Sequence, residues 1–473
     1  MAIPKEILAI SRPKNTRVKA TGKGTYSVIA RTCVYKNGRN VPKELGTIGH
    51  IINGVYVPNP KPKEEEVDVK SYGEFALYDL VGNQLLIDLC SIYDYKDAIK
   101  LYCIALLRAI DPGIRNRDLE TEYLCSYISE KYPDVGLSKN TVSSFLDEIG
   151  KHTLKITEFM QKRLDKLSEE NVVIDGMLKS NTAESNTFSE FSRKARIKGT
   201  EDISLIYAYD TTAKEPVACM PYAGNMLDST SFDDFLNTFD IHKGFMLMDK
   251  GFSSAKLRQV IVKKGISYVV PLKNNCKEIT EYSLDKGFDG FLETKDSNIR
   301  YKKVVGKKGH FYYAFHDKKI ANDQGDIYIN RGRKDGTFDE KKYEEKESRF
   351  GLIVFESNKD LDPVNIYEAY AERWEIETVF KMYKSILDRD EVNVQGDYRL
   401  YATEFINFLS TILVCRVKKM LAAKGLNKSY SYKQIMKFMT KYKKLRLPSV
   451  SEVKWRSCKC LAYIQEVIDA LGI

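Results

Sequence analysis

Tryptophan is nearly absent from this 473-residue chain, with two copies, and histidine is scarce, with five. No apolar run reaches the roughly 18–20 residues that a membrane-crossing helix needs. The opening stretch, MAIPKEILAISRPKN, lacks the long apolar segment of a secretory leader. Neither a membrane protein nor an exported one is expected, and the expected location is the cytoplasm. Nine cysteines are scattered, and nine is odd. The closest pair, Cys458 and Cys460, has one residue between them and no His or Cys companion, so zinc-ligand spacing is missing and free thiols in a reducing compartment are expected. A strand–GxxxxGK[ST]–helix phosphate loop is also missing, as is any internal repeat. Disulfide-stapled, zinc-finger, P-loop and solenoid classes are thereby set aside.

What the chain does have is charge, unevenly placed. Net charge is +10 overall. From Met1 to His50 there are ten Lys/Arg against Glu6 and Glu44, a net of +8, and from Arg416 to Arg456 there are thirteen against Glu452, a net of +12. The two ends together exceed the total, so the middle is net acidic. Basic flanks around an acidic centre suit a polyanion gripped at the periphery of a carboxylate-based site.

The length calls for about two to four domains. Residues 1–66 read as a basic β module: positions 26–34 alternate, Lys36-Asn37-Gly38-Arg39 signals a tight turn, a second strand follows over 43–51, and PNPKPKEEE closes the segment as a linker. Residues 67–168 read as a helical, candidate DNA-binding domain, with helices expected at 74–90, 96–109, 116–131, 138–151 and 151–167. The last short turn, before Ser138, gives a helix-turn-helix pattern in which Lys139, Asn140, Ser143 and Ser144 are candidate DNA readers. An ordinary helical hairpin fits that pattern equally well. Residues 169–278 and 350–425 alternate strands and helices as a mixed α/β domain does. Residues 279–349 are charged, turn-rich and expected to form a β-rich insertion, and residues 426–473 a helical basic C-terminal region.

Two acids end apolar runs. NVVIDG is expected to be a strand ending at Asp175, and KGFMLMDKGF a strand ending at Asp249. Strand ends at one rim of an α/β sheet are where active sites collect. Two carboxylates brought together there raise each other's pKa unless a cation lies between them, which a hard divalent ion does. A third acid lies on the long helix expected over 363–388. On that helix Tyr370, Arg373, Glu377 and Lys384 share a stripe roughly 60° wide, while Ile376, Val379, Tyr383, Ile386 and Leu387 face elsewhere. Three carboxylates can hold two metal ions about 3.5–4 Å apart for in-line attack on a phosphodiester.

The Tyr-(2)-Arg-(3)-Glu-(6)-Lys spacing of Tyr370, Arg373, Glu377 and Lys384, behind Asp175-Gly176 and Asp249-Lys250-Gly251-Phe252, resembles the signature of bacterial insertion-sequence transposases of the DDE class. The resemblance covers about 170–425. It implies an RNase H-like (retroviral integrase superfamily) mixed-sheet catalytic domain with a β-rich insertion, flanked by the N-terminal β module plus helical DNA-binding region and the helical basic C-terminal region. Asp175, Asp249 and Glu377 would be the catalytic, metal-binding triad for two Mg²⁺ (or Mn²⁺) ions, and Tyr370, Arg373 and Lys384 would contact DNA phosphates. The implied activity is cleavage at terminal inverted repeats and strand transfer into target DNA, with double-stranded DNA as partner, a homodimer bridging two ends, and a DNA-associated location. Some relatives hold a flipped base on an aromatic of the insertion, for which Phe311, Tyr312, Tyr313 and Phe315 are candidates. Trp374 is expected to pack in the core. An inactive DNA-binding relative, or a nuclease of the same superfamily, is the alternative.

Overall fold

Alternation at 26–34 places every second side chain on one face, and the first sheet follows from it. The computed structural model describes residues 3–22, 24–36, 39–60, 67–167, 172–183, 185–191, 201–226, 228–241, 245–248, 255–293, 298–370, 391–392, 394–446 and 454–473. Its chain divides into one unit of residues 1–68 with 447–454, and a second of 69–446 with 455–473. In the first unit, β1 (Thr16–Gly22), β2 (Thr25–Lys36), β3 (Arg39–Ile52) and β4 (Val55–Pro58) form an antiparallel meander in chain order. Its core is small: Val18, Val28 and Ile51 are buried, with Ile3, Ile7, Ile10, Tyr26, Ile48 and Tyr56 packed against them.

The second unit, which takes in β5 (Asp68–Ser71) from its second residue on, is built on one large sheet. Its strands are β6 (Val172–Asn181), β7 (Glu190–Phe191), β8 (Glu201–Asp210), β9 (Glu215–Ala223), β10 (Phe245–Met248), β11 (Ser267–Pro271), β12 (Gly290–Phe291), β13 (Ile299–Val305), β14 (Phe311–Asp317), β15 (Leu352–Ser357) and β16 (Glu391–Val392). The central order is β9-β8-β6-β10-β11. β9, β8 and β6 are antiparallel to one another in turn, and β6, β10 and β11 run parallel. The Asp228–Thr238 helix precedes β10, and the Ala255–Lys263 helix makes the crossover from β10 to β11. A three-stranded meander continued by two parallel strands through helical crossovers is the RNase H-like arrangement.

Two expectations about strands need correction. β6 does not end at Asp175; it continues to Asn181, because Met177 and Lys179 keep the inward alternation and β8 stays paired as far as Ser180. The 279–349 segment, expected as a β-rich insertion, carries its strands only in its first half. Its strands extend the large sheet, β14 pairing with β15 and carrying β13 and β12 beyond it. The second half is helical over Lys318–Lys334 and Glu340–Glu347. Asp317 and Asp339 set those helices by accepting from first-turn backbone N–H groups, and Arg331, Arg333 and Lys334 suit the carbonyl end of the first.

The helical layer contains Gly73–Cys90, Tyr95–Ile110, Leu119–Cys125, Ile128–Lys131, Lys139–Lys151 and Thr153–Asp165. The helix expected over 116–131 is broken at Ser126, which bridges Ser71 and accepts from Ile128 N–H (3.1 Å). The Asp397–Ala423 helix threads this layer to the sheet. It is long and apolar enough to cross a membrane by length and composition, yet 89% of its most apolar window lies inside the protein, among Phe405, Ile406, Leu409, Ile412 and Leu413. Gly150 lets it approach: a Cβ there would lie 1.8 Å from the Tyr398 carbonyl oxygen. Alongside, Arg399 donates to both Asp147 oxygens (2.7 and 2.6 Å). The chain returns through the Tyr432–Met439 helix to β17 (Lys443–Arg446) and β18 (Arg456–Ser457), which form a second small sheet in the order β18-β17-β5, and finishes in the Ala462–Leu471 helix.

One half-buried acid in the helical layer titrates in the neutral range. Burial, then the nearby Asp111 and Glu122 carboxylates, push Glu74 up to about 7, with Lys443 opposing. The native state therefore binds this proton more tightly than the unfolded chain. The cost of ionising Glu74 is absent below the ordinary glutamate value and grows as pH rises toward about 7. Glu74→Gln is expected to raise the melting temperature at pH 8, by on the order of 5 °C, and to leave it unchanged at pH 4; thermal melts across that range check the sign.

Candidate active site

Asp175 is the fourth residue of β6, half-buried, opposite Tyr207 on β8. Its carboxylate accepts from the Gly176 N–H at 2.8 Å. On the other edge, β10 runs parallel to β6 with Met246 against Val172, Leu247 against Val173 and Met248 against Ile174. Met248 and Ile174 are the residues that immediately precede Asp249 and Asp175 in sequence. The strand carrying Asp175 and the strand leading to Asp249 are thus nearest neighbours, in a described register that runs to the residue before each. Asp249 itself lies outside the described residues, as do Arg373, Glu377 and Lys384, together with Trp374 and the rest of the helix expected over 371–388. Among the described residues, the β6 edge toward β10 pairs with β10 at 172–174 and with β16 at 180–181. Asp175 directly follows the paired stretch of these two parallel strands, toward the carboxyl ends where open α/β sheets place their ligands. Among the described residues no cluster of three or more His, Cys, Asp and Glu side chains is arranged for a metal ion.

Tyr370 is described, and so is the start of its helix. Asp362 accepts from Val364 N–H (2.8 Å) and Pro363 follows it, a pairing that favours helix initiation. Ile366 and Ala369 are buried, Tyr367 packs on Phe315 with ring centroids 5.3 Å apart, and Tyr370 meets Phe355 of β15 edge-on at 4.6 Å. The Tyr370 ring is thus half-buried against the sheet. The loop before the helix is pinned by Tyr313, whose hydroxyl accepts from Leu361 N–H (2.7 Å) and donates to Leu361 O (3.0 Å). That occupation corrects the flipped-base candidates: Tyr312, Tyr313 and Phe315 are 7%, 0% and 1% exposed and belong to the core.

Below Asp175 the same face of β6 carries a charge that the sequence pattern did not disclose. Lys179 donates to Glu404 at 2.7 Å, both side chains only 2% exposed. Asn407 donates to the same Glu404 oxygen (3.3 Å) and accepts from Arg108 (3.0 Å), and Arg108 also donates to Asn116 (3.0 Å). A chain of charge-assisted bonds thereby runs from the helical layer through the Asp397–Ala423 helix to the strand of Asp175. A second buried network holds Glu215, which accepts from Arg163 (2.6 Å) and Arg416 (2.7 and 3.0 Å). Burial pushes the Glu215 carboxyl up, but the two guanidinium groups outweigh it and leave it below the usual range.

These contacts divide the basic stretch at 416–456. Arg416 serves Glu215, Lys419 caps the Ala213 carbonyl (3.1 Å), Lys424 caps that of Ala470 (2.6 Å), Lys444 lies over Tyr72 and Tyr127 (3.9 and 4.5 Å), and Arg446 over Trp455 (4.7 Å). Lys433, Lys437, Lys441, Lys443 and Arg456 are the cations left exposed there among the described residues, Lys428 and Lys454 aside.

An RNase H-like sheet extended at one edge and covered by a helical layer defines a class of nucleic-acid-processing folds. Residues 173–413, slightly more than half of the chain, match the family model described as "Transposase DDE domain", and the chain belongs to that family of transposases. No curated protein matches it. Among solved structures it is similar to the piggyBac transposase in its synaptic complex with hairpin DNA, at 12% identity and a TM-score of 0.41, over 84% of this chain and 85% of that one.

The Lys179–Glu404 pair gives a direct test of the packing around β6. Lys179→Met leaves a buried carboxylate without its cation and is expected to cost about 3–5 kcal/mol, whereas Lys179→Met with Glu404→Leu should recover most of that loss. Denaturant unfolding of the two variants measures the difference.

Proposed function

We propose that this protein is an active DNA transposase of the cut-and-paste type, which binds the terminal inverted repeats of an insertion sequence, cleaves there and joins the ends to target DNA. The observation that supports this most is the register of β6 and β10 in a chain of the DDE-domain transposase family: β6 carries Asp175, and β10 pairs beside it up to Met248, the residue before Asp249 in sequence. Asp175, Asp249 and Glu377 are the proposed triad. The donor set fits a hard divalent ion: all three are oxygen ligands, and the Asp175 carboxylate is half-buried and oriented by the Gly176 N–H. When bound, two ions (Mg²⁺ or Mn²⁺) supply charge neutralisation at the scissile phosphate and a water or 3′-hydroxyl of lowered pKa.

The chain's own groups do the rest. Arg373 and Lys384 lie three and fourteen residues after Tyr370 and are assigned to the phosphates of the cleaved end, with the Tyr370 hydroxyl donating beside them. The Tyr370 ring, held by Phe355, gives that hydroxyl a fixed base on the sheet. The Lys139–Lys151 helix, capped by Ser138, is the proposed reader of the end sequence. The partners are double-stranded DNA at both steps and a second copy of the chain that bridges two ends; the setting is cytoplasmic and DNA-associated.

The test is Mg²⁺-dependent cleavage of labelled duplexes carrying the inverted repeats that flank the gene. Asp175→Ala, Asp249→Ala and Glu377→Ala should each abolish cleavage while DNA binding persists, and full activity in any one of them removes that residue from the triad. Arg373→Ala should lower cleavage and leave Mn²⁺ binding intact. Tyr370→Phe keeps the ring on Phe355 and should melt as the wild type does, so reduced cleavage in it isolates the hydroxyl.

A further inference from the structure

The two central strands of the first unit outrun their sheet. β1 pairs with β2 only as far as Ala30, and β4 pairs with β3 only from Gly49 onward. Between these limits β2 and β3 pair with each other, with Thr32 opposite Lys43, Cys33 opposite Pro42, Val34 opposite Val41 and Tyr35 opposite Asn40. Among the described residues this ribbon has no third strand and no covering layer: residues 32–35 and 39–47 are exposed on both faces. Two strands alone are marginally stable in water. This ribbon nevertheless displays Val34 at 42% and Val41 at 47% exposure, directly opposite each other.

Strand alternation sorts its faces. Thr32, Val34, Val41 and Lys43 share one face, and Arg39 lies on the same face by register. That face holds two described cations, a hydroxyl and an apolar pair, with no carboxylate. The other face carries Cys33, Tyr35, Asn40 and Pro42, and the one acid nearby, Glu44, is engaged by Arg17 at 3.1 Å. Pro42 removes a ladder donor and Lys43 and Arg39 place charge along the β3 edge, which discourages a second copy from adding a strand there.

We propose that this ribbon is a DNA-binding arm whose Thr32–Val34–Val41–Lys43 face enters the major groove of double-stranded DNA. A major groove about 12 Å wide admits a two-stranded ribbon. Arg39 and Lys43 meet phosphates or the acceptor edges of guanine, Thr32 donates to a base or phosphate, and the valine pair packs on thymine methyl groups. Positive charge complements the polyanion, and the groove covers the apolar pair that the protein leaves in water. This assignment rests on the transposase reading and adds a contact remote in sequence from the triad.

The experiment measures binding of the full chain to two fluorescein-labelled duplexes, one carrying the inverted repeat that flanks the gene and one of mixed sequence, across a salt series. Arg39→Ala with Lys43→Ala should weaken binding to both about tenfold and reduce the slope of log K against log salt by about 2. Val34→Ser with Val41→Ser should weaken binding to the repeat more than to the mixed duplex. Both pairs are exposed, so melting temperatures should equal the wild type's; a large drop would mark the face as structural and overturn the proposal. Unchanged affinity and salt slope in both variants would overturn it too while leaving the transposase reading intact, whereas a wild-type chain that binds neither duplex would sink both. Light scattering completes the test: a variant that loses self-association but keeps DNA affinity assigns the face to a second copy instead.

Discussion

β6 is the strand on which the second unit is aligned. It is hydrogen-bonded to β8 from Val172 to Ser180 without a break in register, and on its other side it changes from β10 to β16 within the same strand. A strand with one continuous neighbour is fixed in position and pleat, so each of its side chains has an assigned face. Asp175 stands just past the stretch paired with β10, with its backbone held by β8 and its carboxylate accepting from the Gly176 N–H.

The long Asp397–Ala423 helix lets that strand share in the packing of the whole unit. It lies against the helical layer through Gly150 and Asp147, and against the sheet through the Glu404–Lys179 pair and the Tyr207–Phe408 ring contact. Buried charges of this kind are weak sources of stability but strict about geometry, because a carboxylate sealed from water tolerates its cation in few positions. The Lys179 ammonium, on the same face of β6 as Asp175 and about 13 Å along it, so ties the outgoing half of the strand to a helix that the candidate end-reading region also touches. The arrangement makes the orientation of Asp175 a property of the assembled unit and not of a local turn.

How much of this was legible depended on where the deciding interaction lay. Buried strands such as 267–271 and 352–357 are recognisable because they are apolar on both faces and bounded by turn residues. The Ser138 cap was readable because it bonds three residues away. Asp175 lies on an apolar strand, as its sequence implies, but the strand does not end there, since the continuation of β6 depends on β8 and on Glu404, 225 residues beyond Lys179. The Lys318–Lys334 helix went unseen for a different reason. Gly325 is its one buried residue, so there is no apolar stripe to read, and the Asp317 cap carries the signal alone. The basic stretch at 416–456 was read as a single surface, whereas several of its cations close helix ends and acidic networks within the fold.

The small sheet β18-β17-β5 has a consequence for how the protein is made. Tyr72 and Gly73 both donate their backbone N–H groups to the Tyr442 carbonyl, at 3.2 and 2.9 Å. The first residues of the helical layer are therefore completed by a segment translated some 370 positions later. A ribosome that has released only the RNase H-like sheet still holds an unfinished molecule, with the Gly73–Cys90 helix lacking its last neighbours. At about 5–20 residues per second, the roughly 50 residues from Val392 to Tyr442 take about 3–10 seconds to make, during which the sheet is synthesised but the helical layer is not closed. Late closure of this seam leaves the helical layer to be completed after the sheet.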